Sequence, residues 1–278
     1  MNVLNTFPDF LSRTRISIEY KDFDFLPLLY SITIVSLAGA LKLYFAREFL
    51  GIEVPFAYLV AAGLIAFSAY AFDRGVDCKE DEERGELFKK TLLSAAIVAV
   101  IASFILFPNP LMVIPYAIAY LYAKGIRGHR LKGGCGVKNT VVAFSWSLGI
   151  VIFLGVGSVS ALLVYIFFFV KSFVNTVIYD VRDIERDTMA GIATLPSMLG
   201  FTHLKLFLGA LSVGIHGLVL CAYYAGLIAG GDVILLSLLH SSTYICLYCS
   251  RRDKFRNTLV DGEWVLYGGY VILRDFLL

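Results

Sequence analysis

Long apolar runs broken by short polar stretches set the pattern of this chain, and their lengths lie near the ~20 residues that a bilayer-spanning helix needs. Nine spans are expected. They run from Phe25 to Ala46, Val54 to Phe72, Thr91 to Phe107, Leu111 to Ala123 and Thr140 to Val156, then from Ser158 to Tyr179, Leu204 to Ala229, Val233 to Ser250 and Thr258 to Leu278. The fourth is short and carries Pro115, which predicts a kink or a continuation past Lys124. The expected fold is all-α: a polytopic membrane bundle of nine transmembrane helices around a central cavity. It forms a single domain over residues 1–278, with cap loops near 73–90, 124–138 and 181–203.

Composition agrees. Of 278 residues 58% are hydrophobic and 17% charged, and the mean hydropathy is +0.76, which excludes an ordinary soluble domain. The net charge of +2 says little about partners, but the distribution of charge says more. With the N-terminus as the first flank, 20 of the 24 Lys and Arg fall on one side of the expected spans, and the other side holds little beyond Arg47 and Arg274. The positive-inside rule then puts the protein in the cell membrane with its N-terminus cytoplasmic and its C-terminus opposite. One missed or extra span would scramble this alternation. Residues 1–24 lack the apolar core and cleavage site of a signal peptide, so none is expected. Cys246 and Cys249 form a CxxC inside an apolar run, with no second pair and no nearby histidine, so packing cysteines are expected rather than a zinc or redox site.

Two acidic stretches change the picture. Each follows an apolar span on the cytoplasmic side. In Tyr179-Asp180-Val181-Arg182-Asp183-Ile184-Glu185-Arg186-Asp187 the aspartates stand at i, i+3 and i+7, on one helical face. In Asp73-Arg74-Gly75-Val76-Asp77-Cys78-Lys79-Glu80-Asp81 they stand at i, i+4 and i+8. Carboxylates stacked in this way repel one another unless a cation neutralises them, and hard divalent ions such as Mg2+ take oxygen ligands shared with a substrate phosphate. A solvated helix end explains one such stripe, but two at matching depth favour a shared metal site. Upstream of the second stretch, Lys171, Asn175 and Tyr179 follow at intervals of four, with Ser172 and Thr176 beside them. Polar groups at that depth face a cavity, pair structurally or join helices. The loop from Lys124 to Lys138 is basic and glycine-rich, either an ordinary cytoplasmic loop or a lid suited to a diphosphate. Asn139 is a candidate cap for the fifth span.

The second acidic stretch leads into Gly191-Ile192-Ala193-Thr194-Leu195-Pro196. With nine spans and acidic motifs after the second and sixth, the chain resembles the UbiA-family intramembrane prenyltransferases over essentially its whole length. The TLP ending matches that family's GxxTLP. In the family's first motif, NDxxDxxxD, Asp73 here replaces the Asn and Arg74 replaces the first Asp. The resemblance implies Mg2+-dependent transfer of a prenyl group from an isoprenyl diphosphate to a lipophilic or aromatic acceptor among membrane lipids, releasing diphosphate. It implies that Asp73, Asp77 and Asp81 hold one metal–diphosphate contact and Asp183 with Asp187 the other, Asp180 being a nearby member of the metal set. It also implies that Lys124 and Arg182 neutralise the diphosphate with Tyr120 in the same binding set, that Asn175 and Tyr120 face the cavity, and that Asp77, Asp183 and Asn175 are catalytic. Neither nucleic acid nor an obligate protein partner is expected.

Two rival functions fit less well. A CDP-alcohol phosphotransferase needs Asp-Gly and Ala-Arg pairs ahead of two further aspartates in one segment, and neither acidic stretch supplies them. An ion-coupled transporter would carry its carboxylates near mid-membrane, whereas these cluster at one boundary.

Overall fold

The computed structural model describes residues 25–76, 86–125, 136–155, 157–189, 193–249, 259–260 and 262–277. Among these residues the regular structure is helical and no strand is present. The helices are α1 (Phe25–Leu50), α2 (Phe56–Val76), α3 (Glu86–Leu106), α4 (Val113–Ala123), α5 (Val137–Leu154), α6 (Val159–Met189), α7 (Leu195–Tyr224), α8 (Gly231–Tyr248) and α9 (Glu263–Leu277). By length and composition six stretches are able to cross a membrane: α2, α3, α5, residues 159–185 of α6, α7 and α8.

Local chemistry explains where the helices depart from the expected spans. Pro115 disrupts nothing, because it sits in the first turn of α4, behind a 3-10 turn at Pro110–Met112 that Asn109 caps through its side chain. The stretch 181–203, expected as a cap loop, is mostly helix. The α6 helix runs on to Met189, and α7 begins at Leu195, where Thr194 and Ser197 exchange capping hydrogen bonds and Pro196 occupies the first turn. Gly200 then adopts φ 67°, a conformation open to glycine, and divides this first turn from the long part of α7. Asn139 does not cap α5. Gly136 holds that position, and Asn139 is buried one turn further in.

Packing follows the chain order and closes on itself. The α1 helix lies against α2, α5, α6 and α9. Helix α4 bridges α2 and α5, and the series continues from α5 to α6, α7 and α8, which meets α9. Close approach depends on small residues. A Cβ built on Gly39 of α1 would lie 2.6 Å from Ala66 Cβ and 2.7 Å from the Ala62 carbonyl oxygen of α2. Outward faces are apolar, as on α3, where Ile97, Val98, Ile101 and Ile105 are exposed. The interior holds two apolar clusters. The larger is rich in aromatic rings (Phe45, Phe49, Phe167, Phe168, Trp264, Tyr267), and the smaller joins α6, α7 and α8.

Candidate active site

A cavity of about 320 Å³ opens between α1, α2, α4, α5, α6 and α9. Its wall is mainly apolar, with Ile34, Val35, Ile65, Val142 and Ile150, and it carries tyrosines at Tyr70, Tyr116, Tyr122 and Tyr179. Asp73 lines it from α2. Asn175, Thr176 and Tyr179 line it from α6, one to two turns before the second acidic stretch. The end of α2 that carries the first acidic stretch and the part of α6 leading into the second therefore meet at one cavity. Asp77 and Asp81 lie outside the described residues, and among those described no group of three or more Asp, Glu, His or Cys converges closely enough to hold a metal ion.

The four described aspartates of the two acidic stretches are in unlike surroundings. Asp180 is 1% exposed, and α5 occupies both of its oxygens: Lys138 Nζ lies 2.8 Å from Oδ1, and Asn139 Nδ2 donates to Oδ2 at 2.9 Å. Asn139 also reaches the Thr176 hydroxyl at 3.3 Å. Asp183, one turn on, has a side chain 27% exposed and accepts a two-pronged contact from Arg182, at 2.8 Å from Nε and 3.1 Å from the terminal nitrogen. The Arg182 guanidinium also lies over the Tyr179 ring, 5.6 Å from its centre. Asp73 and Asp187 are half-buried.

The other candidates separate by helical phase. On α4 the cavity side carries Tyr116, Ala119 and Tyr122, while Tyr120 points away, 42% exposed and packed on Phe72. Lys124 caps the C-terminal end of α4 and is exposed, with Nζ 5.9 Å from the centre of the Tyr120 ring. Neither Tyr120 nor Lys124 lines the cavity. On α6 Asn175 reaches it and Lys171 does not. Lys171 is buried on the far side, in an ion pair with Glu263 of α9 at 2.9 Å, hydrogen-bonded to Tyr267 at 3.2 Å and to Ser241. Asn175 joins the two systems: its Nδ2 donates to the Val260 carbonyl at 2.9 Å and approaches Glu263 Oε1 at 3.5 Å. With the amide nitrogen committed to the α9 side, Oδ1 is the atom left for the cavity.

Sequence reasoning missed the roles of four residues here. Glu263 gave little signal, because it lies near the start of the last span with Asp261 close by. Lys138 and Asn139 read as loop and cap, and only the packing of α5 on α6 brings them to Asp180. Lys42 did carry a signal, since a charge inside the first apolar span is costly unless it is used. It lines the cavity from α1, with Nζ 3.7 Å from the Trp146 ring centre, 5.1 Å from that of Trp264 and 3.5 Å from Ser172 Oγ.

These features define a class: an all-helical polytopic protein with an aspartate, a lysine and several tyrosines on the wall of an apolar cavity, and further aspartates on the helix that leads from it. A model of the UbiA prenyltransferase family matches residues 30–261, and the chain belongs to that family. Comparison with curated proteins gave no match. Among solved structures the fold is similar to a UbiA homologue from Archaeoglobus fulgidus bound to GPP and Mg2+, at 16% identity and a TM-score of 0.57, covering 89% of this chain and 98% of that one. It is similar to a UbiA homologue from Aeropyrum pernix K1, in its apo form, at 18% identity and a TM-score of 0.61, covering 87% and 98%. A digeranylgeranylglyceryl phosphate synthase is similar at 13% identity and a TM-score of 0.55, covering 88% and 93%.

Proposed function

We propose that this protein is an intramembrane prenyltransferase that moves a prenyl group from an allylic isoprenoid diphosphate to a lipophilic or aromatic acceptor, with Mg2+, releasing diphosphate. The observation that carries the reading is the presence of Asp73 of the first acidic stretch and Tyr179 of the second on the wall of one apolar cavity. Membership of the UbiA prenyltransferase family supports the class of reaction. Archaeoglobus fulgidus homologues bound to GPP and Mg2+ and to DMAPP and Mg2+ support the donor and the ion.

The hard carboxylate oxygens on α2 and α6 suit Mg2+, and the proposed ligands are Asp73, Asp77, Asp81, Asp183 and Asp187. Asp180 is set apart from them, because Lys138 and Asn139 already occupy its oxygens. It anchors α6 to α5 and so fixes how the following aspartates are presented. Mg2+, when bound, supplies charge to the diphosphate as its bond to the prenyl carbon breaks. Arg182, already beside Asp183, and Lys124, at the end of α4, add fixed positive charge at that end of the bundle. The apolar wall keeps water from the allylic cation, and the faces of Tyr70, Tyr116 and Tyr122 stabilise it. Asn175 Oδ1 accepts a hydrogen bond from the acceptor nucleophile and orients it. In this reading nine helices cross the membrane, with the N-terminus and the aspartates on the cytoplasmic side.

The test is incubation of the purified protein in lipid nanodiscs with Mg2+ and a panel of prenyl diphosphates and acceptors, read by mass spectrometry. A prenylated acceptor that disappears with EDTA is expected. Failure of every donor to transfer would reject the proposal.

A further inference from the structure

We propose that Glu263, held by Lys171, is a positioning residue: it fixes which end of the Asn175 amide faces the cavity, and so makes the site select an acceptor that offers a hydrogen-bond donor. The inference deepens the prenyltransferase reading above and rests on it.

An asparagine amide has two unlike ends of nearly equal size, an oxygen that accepts and a nitrogen that donates, and its surroundings decide which way it points. On the α9 side of Asn175 both neighbours are acceptors. The Val260 carbonyl lies 2.9 Å from Nδ2, and Glu263 Oε1 lies 3.5 Å from it. Turning the amide over would bring Oδ1 against two oxygens, one of them in a carboxylate, with no proton between them. Nδ2 therefore stays with α9 and leaves Oδ1 for the cavity, whose wall Asn175 lines.

The carboxylate is the part of this arrangement that depends on Lys171. A neutral side chain with a proton to donate at position 263 would satisfy Oδ1 and remove the preference, whereas a carboxylate only accepts. Glu263 and Lys171 are both fully buried, and the ammonium, 2.9 Å from Oε2, supplies the counter-charge that a carboxylate needs at that depth. Lys171 is pinned in turn by Ser241 of α8 and by Tyr267 of α9 at 3.2 Å. The residue after Glu263, Trp264, lines the same cavity. The start of α9 thus reaches the site twice, by a ring of its own and by an accepting oxygen set through Asn175. A phenol or an alcohol donates to that oxygen, and an acceptor without such a group leaves it facing apolar surface.

The experiment uses the full chain in nanodiscs with Mg2+, and a prenyl diphosphate and a phenol or alcohol that the panel above shows to react. KM for the acceptor and for the donor is measured in wild type, Asn175→Ala, the Lys171→Met/Glu263→Met double variant and the triple combination, with Glu263→Gln as a second variant of unchanged shape. The double variant and Glu263→Gln are expected to raise the acceptor KM about tenfold at constant donor KM. The triple variant should be no worse than Asn175→Ala, because the pair acts through that amide. An acceptor KM unmoved in both the double variant and Glu263→Gln overturns the positioning. So do effects that add in the triple variant, or donor and acceptor KM rising together, either of which would make the pair a support of the fold alone. Transfer by wild type only to acceptors that lack a donor group also overturns it. These outcomes reject the positioning while leaving the prenyltransferase reading, whereas no transfer by wild type with any donor rejects both.

Discussion

Asp180 and Asp183 stand one turn apart on α6, yet their side chains are committed differently. Asp180 is buried between Lys138 and Asn139, and Asp183 faces a partly open end of the bundle with Arg182 beside it. Substitution should separate the two roles. Asp183→Ala is expected to abolish Mg2+-dependent transfer while leaving the thermal unfolding of the protein unchanged, and full activity in that variant would remove Asp183 from the metal set. Asp180→Ala should act first on stability, at a cost of about 1–3 kcal/mol, because Asn139 is left as a buried donor while the part-exposed Lys138 can turn to water. Its signature is a lowered midpoint of unfolding in detergent together with reduced but still Mg2+-dependent turnover. For Lys124→Met, weaker diphosphate binding by calorimetry is expected, since a fixed charge at the end of α4 is lost.

At the scale of elements, α6 works on two faces. One face carries Asn175, Thr176 and Tyr179 to the cavity, and another buries Lys171 against Glu263, Tyr267 and Ser241. A buried ion pair contributes little net stability, but breaking it leaves a bare charge in an apolar interior. Glu263→Ala should therefore destabilise the protein by about 3–5 kcal/mol, and joint replacement of Lys171 and Glu263 by methionine should recover most of that loss. Equal unfolding midpoints for the single and double variants would contradict this. Asn175 gives the pair a link to function, because the same α9 segment that holds Lys171 also fixes the Asn175 amide. The recurrence of polar residues along span six was legible in the sequence. Which of them faced the cavity was not, because a spacing of four residues drifts around a helix of 3.6 residues per turn.

Across the whole molecule, the end remote from the aspartates is closed by charges that the sequence left scattered. Arg274 of α9 pairs with Glu48 of α1, and with Asp232 of α8 at 3.2 Å. Arg47 meets Asp275 at 3.0 Å. The few basic residues at this end are thus spent on local carboxylates, and the unbalanced basic residues stay with the aspartates. That fits an N-terminus in the cytoplasm. In a background without the native cysteines, a single cysteine placed between Gly125 and Gly136 should react with an impermeant maleimide only in inside-out vesicles, and labelling in right-side-out vesicles would reverse the orientation.

The class of fold was determined by sequence alone, because a membrane span must satisfy its backbone internally and so declares itself as a long apolar helix. The second acidic stretch and its TLP ending were equally legible, being local patterns on one helix. Long-range packing decided the rest. It turned Tyr120 outward and Tyr116 and Tyr122 inward, gave Asp180 to Lys138 and Asn139, and brought Lys42 between the only two tryptophans in the chain. Such contacts join residues dozens to more than two hundred positions apart, and their geometry depends on how each helix is rotated against its neighbours. The apolar character that makes these helices recognisable leaves that rotation open, and close contacts such as Gly39 on Ala66 help to set it.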